Sequence, residues 1–307
     1  MPIVPKFLQV TVDPLLKKIV RSSLYTNRYS NSLDIRLNET YLRYQRFCSA
    51  QYVARHGVQD FGESRIRTHS AQIFSGVVAA EKARQYSEQI SYFIEHNQEL
   101  VKIDDKHSSL LKTIKHPLRT MGTDYLEIFH NPELHNALVT FFGGDYRLEW
   151  VSAFRTLPST HVVSSWNWHT DANPPYTCKV FLHLTSATAD TGATDFMTPE
   201  DTALYRRAGY FGDHYGSERM GDKEIREFAQ KHGLPYRPFH FDVSAGDASL
   251  FNQNFLHRAV APRVGYRDVF EFFLLPNPVP WHEQLAKDGI DSAQIRLPLY
   301  PKNPRRA

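Results

Sequence analysis

Helical periodicity in the first half of the chain, and a change at Tyr146 to short aromatic and β-branched segments, together predict an α+β protein. From Tyr146 to Pro276 these segments are separated by Gly, Pro, Asn or Asp, the pattern of a jelly roll (double-stranded β-helix) with helices on one face. At 307 residues and 41% hydrophobic, the chain can bury one composite core without needing a second domain. The organisation expected is a single domain over 1–307. It comprises a mainly helical flank over 1–145, a jelly-roll core over 146–276 interrupted by an insertion at about 198–235, and a tail over 277–307.

Asp13 and Pro14 read as an N-cap and first helical residue, with Leu15, Leu16, Ile19 and Val20 on one side, giving a helix over 13–24. Residues 21–37 are polar and read as connection. A second helix is expected from Asn38 to Gly57, carrying Tyr41, Tyr44, Cys48 and Tyr52 as a stripe. The best-patterned segment runs from Val77 to His96. Ala79, Ala83, Tyr86, Ile90 and Phe93 form its apolar face, which predicts a buttress on the outside of the sheet. Asn131 and Pro132 open a short helix that Gly143 and Gly144 end. Strands are then expected at 147–156, 162–169, 177–184, 237–243, 248–251 and 267–275. Within the insertion, Asp222 reads as an N-cap and Gly233 as the stop of a helix with Ile225 and Phe228 on one face.

Composition excludes several classes. A net charge of +3 is too mild for a nucleic-acid partner. Two cysteines, Cys48 and Cys178, make neither a disulfide framework nor a thiolate metal site. The N-terminus lacks the basic and apolar regions of a signal peptide, and no run reaches the roughly 18 apolar residues of a membrane span. A cytoplasmic protein acting on a small molecule is the expectation.

The chemistry concentrates in Trp166-Asn-Trp-His-Thr-Asp171. His169 and Asp171 are two positions apart, so on an extended strand both side chains leave one face and can grip one ion. His240 and Asp242 show the same spacing, so spacing alone does not decide. His257 follows His169 by 88 residues, room for several strands between first and last ligands, but follows His240 by only 17. Two imidazoles and a carboxylate on one face of an octahedron leave the other face open, which favours non-haem Fe(II) oxygen chemistry. Arg267, ten residues past His257, opens a strand from which a guanidinium can hold a carboxylate in two parallel hydrogen bonds.

His169, Thr170 and Asp171, then His257, then Arg267, resemble the Fe(II)/2-oxoglutarate-dependent oxygenases, and among them the phytanoyl-CoA dioxygenase-like branch. Three further stretches carry the branch resemblance: Asn131 to Gly144, Asp190 to Pro199 and Ala245 to Phe251. The resemblance spans roughly residues 120 to 276 and implies Fe(II) on His169, Asp171 and His257. It also implies 2-oxoglutarate with its far carboxylate on Arg267, O2 as oxidant, and hydroxylation with release of succinate and CO2. A carboxylate at Asp171 leaves no vacancy of the kind related halogenases use for halide. Where relatives continue into Pro-Gly-Ser-His, this chain has Thr198-Pro-Glu-Asp201, so contacts made there do not carry over. Trp166 and Trp168 are expected to pack around the site. The insertion, with Arg206, Arg207 and Tyr210, reads as a substrate lid. The competing reading is a non-catalytic, cupin-like binder of a metal or small molecule, for which Arg267 has no purpose.

Overall fold

The computed structural model describes residues 32–103, 110–159, 164–171, 176–212 and 219–293. The helix expected over 13–24 and the basic end of the tail lie outside them. Helix α1 (Ser32–His56) begins before Asn38, because Asp34-Ile-Arg-Leu37 contains no helix breaker. Tyr41, Tyr44 and Cys48 are buried, as their stripe requires. Gln45 and Ser49 on the same helix donate to the carbonyls of Phe142 and Gly143 at 2.8 and 2.5 Å. Those carbonyls belong to the end of a later helix, which Gly143 closes in the left-handed region at φ 66°.

A short helix α2 (Arg65–Thr68) leads to strand β1 (Ala71–Phe74) and then to helix α3 (Ala80–His96). Ala83, Tyr86 and Ile90 of α3 are buried. Strands β2 (Val101–Ile103) and β3 (Leu111–Ile114) follow, then helices α4 (Pro117–Thr120) and α5 (Pro132–Phe142). The Asn131 side chain caps α5, accepting from the N–H groups of Glu133 and Leu134. Strands β4 (Tyr146–Thr156), β5 (Cys178–His183) and β6 (Thr194–Phe196) precede helices α6 (Pro199–Arg207) and α7 (Asp222–His232). Strands β7 (Ala248–Phe251), β8 (His257–Ala259) and β9 (Arg267–Pro276) complete the sheets, and helix α8 (Trp281–Asp288) packs Trp281 against Phe129.

Seven strands form one antiparallel sheet in the order β1-β7-β5-β9-β4-β3-β2. β9 lies between β5 and β4 and is buried at all ten positions. Its alternation sorts its residues. Phe270 and Phe272 meet the helical layer, where the Tyr86 ring stands edge-on to Phe270 at 5.5 Å. On the same side Asp268 accepts from Ser87 of α3 at 2.6 Å and from Arg155 of β4 at 2.8 and 2.6 Å. Arg267, Val269 and Glu271 therefore face the other way. A smaller sheet pairs β6 with β8 and extends through single bridges from Phe196 to Phe239 and from His257 to His169. Ala71, Phe154, Phe181, Phe251 and Val269 of the large sheet share one apolar cluster with Phe196 and Phe239 of the small one.

Two expectations change, and a stretch for which no structure was expected gains one. The flank contributes β1, β2 and β3 to the large sheet besides its helices. The segment 237–243 forms only bridges at Phe239 and Val243, since Pro238 has no N–H for a ladder. Thr198 to Asp201 proves to be the start of α6, with the Thr198 hydroxyl accepting from the Asp201 N–H at 3.1 Å. Helix α7 matches its prediction except that Gly221, not Asp222, holds the cap position. Gly233 closes it at φ 63°.

Candidate metal centre

The strand expected at 162–169 is mostly absent from the described residues. Ser164–Trp166 is one tight helical turn, and only Trp168 and His169 pair with neighbours. Extended alternation still holds across the four residues that matter. Trp168 packs with Met197, Tyr205, Tyr210 and Leu256, so it turns towards the insertion and not onto the site. The Thr170 hydroxyl donates to the Phe211 carbonyl at 3.1 Å on that same side. His169 and Asp171 point the opposite way.

Backbone contacts hold this segment from several directions. Trp168 N–H donates to Met220, Thr170 N–H to Gly212 and Asp171 N–H to Gln253, at 2.8, 2.8 and 3.0 Å. Gly212 adopts φ +56°, and a Cβ there would lie 2.9 Å from the His169 Cα, so no side chain fits against the ligand segment.

His169 Nε2 lies 3.6 Å from Asp171 Oδ1, and His257 Nε2 lies 4.0 Å from Asp171 Oδ2. One ligand atom from each of the three residues falls within 4.8 Å of the others. Among the described residues, this is the one cluster of His, Cys, Asp or Glu that closes in this way. Each imidazole uses Nδ1 on a backbone carbonyl, His169 on Asn167 at 2.8 Å and His257 on Phe255 at 2.9 Å. A carbonyl can only accept, so the proton sits on Nδ1 and the Nε2 lone pair is presented inward. Burial, followed by the neighbouring His257, pushes His169 down to about 3. Burial also lowers His257. Both rings are thus neutral at pH 7, the form that binds metal. Burial alone would raise Asp171, but Lys179 first, then His257 and His169, hold it well below the usual carboxylate range.

Arg267 lines the same cavity of about 660 Å³ as His169 and His257. It is buried, its Nη1 donates to the Gly192 carbonyl, and its Nε has no hydrogen-bond partner. Burial lowers its pKa to about 10, so it stays cationic at neutral pH. Trp166 also lines the cavity. His240 and Asp242 do not: His240 leans on Asp195 at 3.4 Å, and Asp242 is 71% exposed. Nor do the three lid residues. Arg206 is buried and donates to the Asn254 carbonyl, Arg207 is exposed, and the Tyr210 hydroxyl donates to the Trp168 carbonyl.

Four charged residues of the cavity were not among the expected site residues: Lys179, Glu271, Arg219 and Lys102. Lys179 on β5 pairs with Asp171 Oδ2 at 2.7 Å and with Glu271 Oε1 on β9 at 2.9 Å. Arg219, from the insertion, lines the cavity and bears electrostatically on both histidines. The signal for the first two was present: Cys-Lys-Val-Phe-Leu and Val-Phe-Glu-Phe-Phe each hold one charge inside an otherwise apolar strand. Such a charge needs a partner when the strand is buried.

No protein-family model matches the chain, and no curated protein matches it by sequence. Solved structures do resemble it. SnoK, a non-heme alpha ketoglutarate dependent carbocyclase from nogalamycin biosynthesis, superposes with a TM-score of 0.50 at 14% identity, covering 78% of this chain and 94% of SnoK. SnoN, an epimerase from the same biosynthesis, gives 0.47 at 14% identity, over 76% and 83% of the two chains. EctD from S. alaskensis gives 0.47 at 10% identity, over 69% and 74%. At that identity the likeness to SnoK speaks to the fold: a mixed helical and antiparallel-sheet architecture of the kind 2-oxoglutarate-dependent oxygenases use.

Proposed function

We propose that the chain is a non-haem Fe(II)/2-oxoglutarate-dependent dioxygenase, a single jelly-roll domain that hydroxylates a small molecule. The observation that carries this reading is the placement of Arg267, with a buried unpartnered N–H, in the cavity where His169, Asp171 and His257 converge. A metal binder without turnover has no use for that guanidinium. The chain's motifs resemble those of the phytanoyl-CoA dioxygenase-like branch. Free, buried Cys48 and Cys178 suit a reducing compartment such as the cytoplasm.

The residues fit the groups implied. His169, Asp171 and His257 would hold Fe(II), a two-imidazole, one-carboxylate donor set suited to that ion. Arg267 would take the far carboxylate of 2-oxoglutarate. Together Fe(II), 2-oxoglutarate and O2 supply an oxidant able to remove a substrate hydrogen, with release of succinate and CO2. The chain's share is binding, orientation and exclusion of water. Asn167 and Phe255 hold the two rings in the binding tautomer through their carbonyls. Trp166, Phe181 and Phe251 give the cavity apolar walls, and about 660 Å³ accommodates a small metabolite.

Adding Fe(II) and 2-oxoglutarate under argon tests this directly. A visible charge-transfer band, and succinate formation on admitting oxygen, are expected. Absence of both, with metal nonetheless bound, would favour the cupin-like binder.

A further inference from the structure

We propose that Lys179 is a positioning residue for the metal site, fixing Asp171 through one carboxylate oxygen so that the other is the one offered to a metal, with Glu271 holding the ammonium in place. The inference rests on the metal assignment above and adds to it two residues that belong to neither the ligand set nor the cosubstrate anchor.

The geometry is specific. Lys179 projects from β5 on the same face as Phe181, into the space between the sheets, and its side chain is only 13% exposed. The ammonium meets Asp171 Oδ2 at 2.7 Å and Glu271 Oε1 at 2.9 Å, while Asp171 Oδ1 is turned to His169 Nε2. Asp171 and Glu271 are 11% and 9% exposed at their side chains. A lysine so placed is costly to bury unless both carboxylates compensate it, and here both do. Lys179 is a fixed cation beside a ligand that must also serve a divalent ion.

Two consequences with opposite signs follow. Removing the ammonium takes away a positive charge next to the incoming ion and frees both Asp171 oxygens, so metal should bind more tightly. Removing the Glu271 charge leaves Asp171 as the ammonium's remaining carboxylate partner, so metal should bind more weakly. Like charges several ångströms apart in a partly buried site are worth at least a factor of ten in affinity. A purely structural role would weaken binding in both variants.

The experiment is titration of the full chain, freed of metal by chelation, with Co(II) alone, following the visible d–d bands. Lys179→Met should lower the Co(II) Kd by about tenfold or more and alter the band pattern as Asp171 gains freedom to bind through both oxygens. Lys179→Arg should stay near the unaltered chain. Glu271→Gln should raise the Kd by a similar factor, and it keeps the test available if Lys179→Met does not fold. Weaker binding in both Lys179→Met and Glu271→Gln, or no change in either, overturns the role of Lys179 alone. His257→Ala serves as the control: if it binds Co(II) as the unaltered chain does, the metal assignment falls and takes this inference with it.

Discussion

His169 and His257 exchange backbone hydrogen bonds, each N–H donating to the other's carbonyl at 3.0 Å, and their rings lie 4.4 Å apart. Two proposed ligands separated by 88 residues are thus held by one antiparallel bridge. Only Asp171 and its neighbours complete the set. Asp171→Ala should therefore abolish metal binding, by roughly 100-fold or more in Kd, while the fold survives, because Lys179 and Glu271 remain as a neutral pair. Calorimetric titration with Fe(II) under argon, alongside a thermal melt, checks both halves. Retained 2-oxoglutarate turnover would sink the ligand assignment.

Arg267 and Arg263 are four residues apart and differ in almost everything else. Arg267 is buried in the cavity with an unpartnered Nε, whereas Arg263 is 79% exposed and paired with Asp190 at 3.2 Å. Arg267→Ala should raise the 2-oxoglutarate KM by about 10–100-fold, the worth of a charge-assisted bond, with Fe(II) affinity nearly unchanged. Arg263→Ala should leave both alone. The reverse outcome would mean that the cosubstrate enters elsewhere.

What could be read from the sequence was what depends on local pattern. The α3 stripe, the Asn131-Pro132 start and Gly143 stop of α5, and the apolar positions of β9 between Val269 and Leu275 all announce themselves within a few residues. β1, β2 and β3 did not, because four-residue and three-residue strands are made by partners far away in the chain, such as Ala71 with Phe251. The ligand spacing was legible although the strand assumed around it was not, since alternation over Trp168 to Asp171 is all the geometry needs. Lys179 and Glu271 stayed hidden because a lone charge in a strand reads as a surface residue until both faces of the sheet are known to be covered.

His183 provides a pH test away from the ligands. It faces inward from β5, bonded to the Ser249 hydroxyl at 3.0 Å, and burial, helped by Arg267, pushes it down to about 3. An unfolded histidine titrates near 6.5, so between these values the unfolded chain binds the extra proton and stability rises with pH. The contribution is full above about 6.5 and drains away as pH falls, amounting to about 2 kcal/mol lost by pH 5. Urea melts at pH 7.5 and 5 should show that loss, and His183→Gln should reduce it. An identical pH slope in the variant would mean that other buried groups carry the effect.

Arg206 and Arg207 are neighbours in sequence with opposite surroundings, and this redirects the lid expectation. The Arg206 guanidinium donates to the Asn254 carbonyl, and Thr202, one turn earlier on α6, accepts from the Leu256 N–H at 3.1 Å. α6 thereby braces the turn that delivers His257, three residues beyond Asn254. Losing one charge-assisted bond to a half-buried carbonyl costs about 1.5–3 kcal/mol. Arg206→Gln should accordingly lower the melting temperature and weaken metal binding, without altering which substrates stimulate turnover. Arg207→Gln, on the exposed side of the helix, should change none of these quantities. Among the described residues of the insertion, Arg219 is the one that reaches the cavity. If any arginine of that segment sets preference for an anionic substrate, Arg219→Gln should reveal it as a shift in substrate-stimulated succinate formation with uncoupled decay intact. A substrate effect from Arg207→Gln instead would restore the original lid reading and remove Arg219 from it.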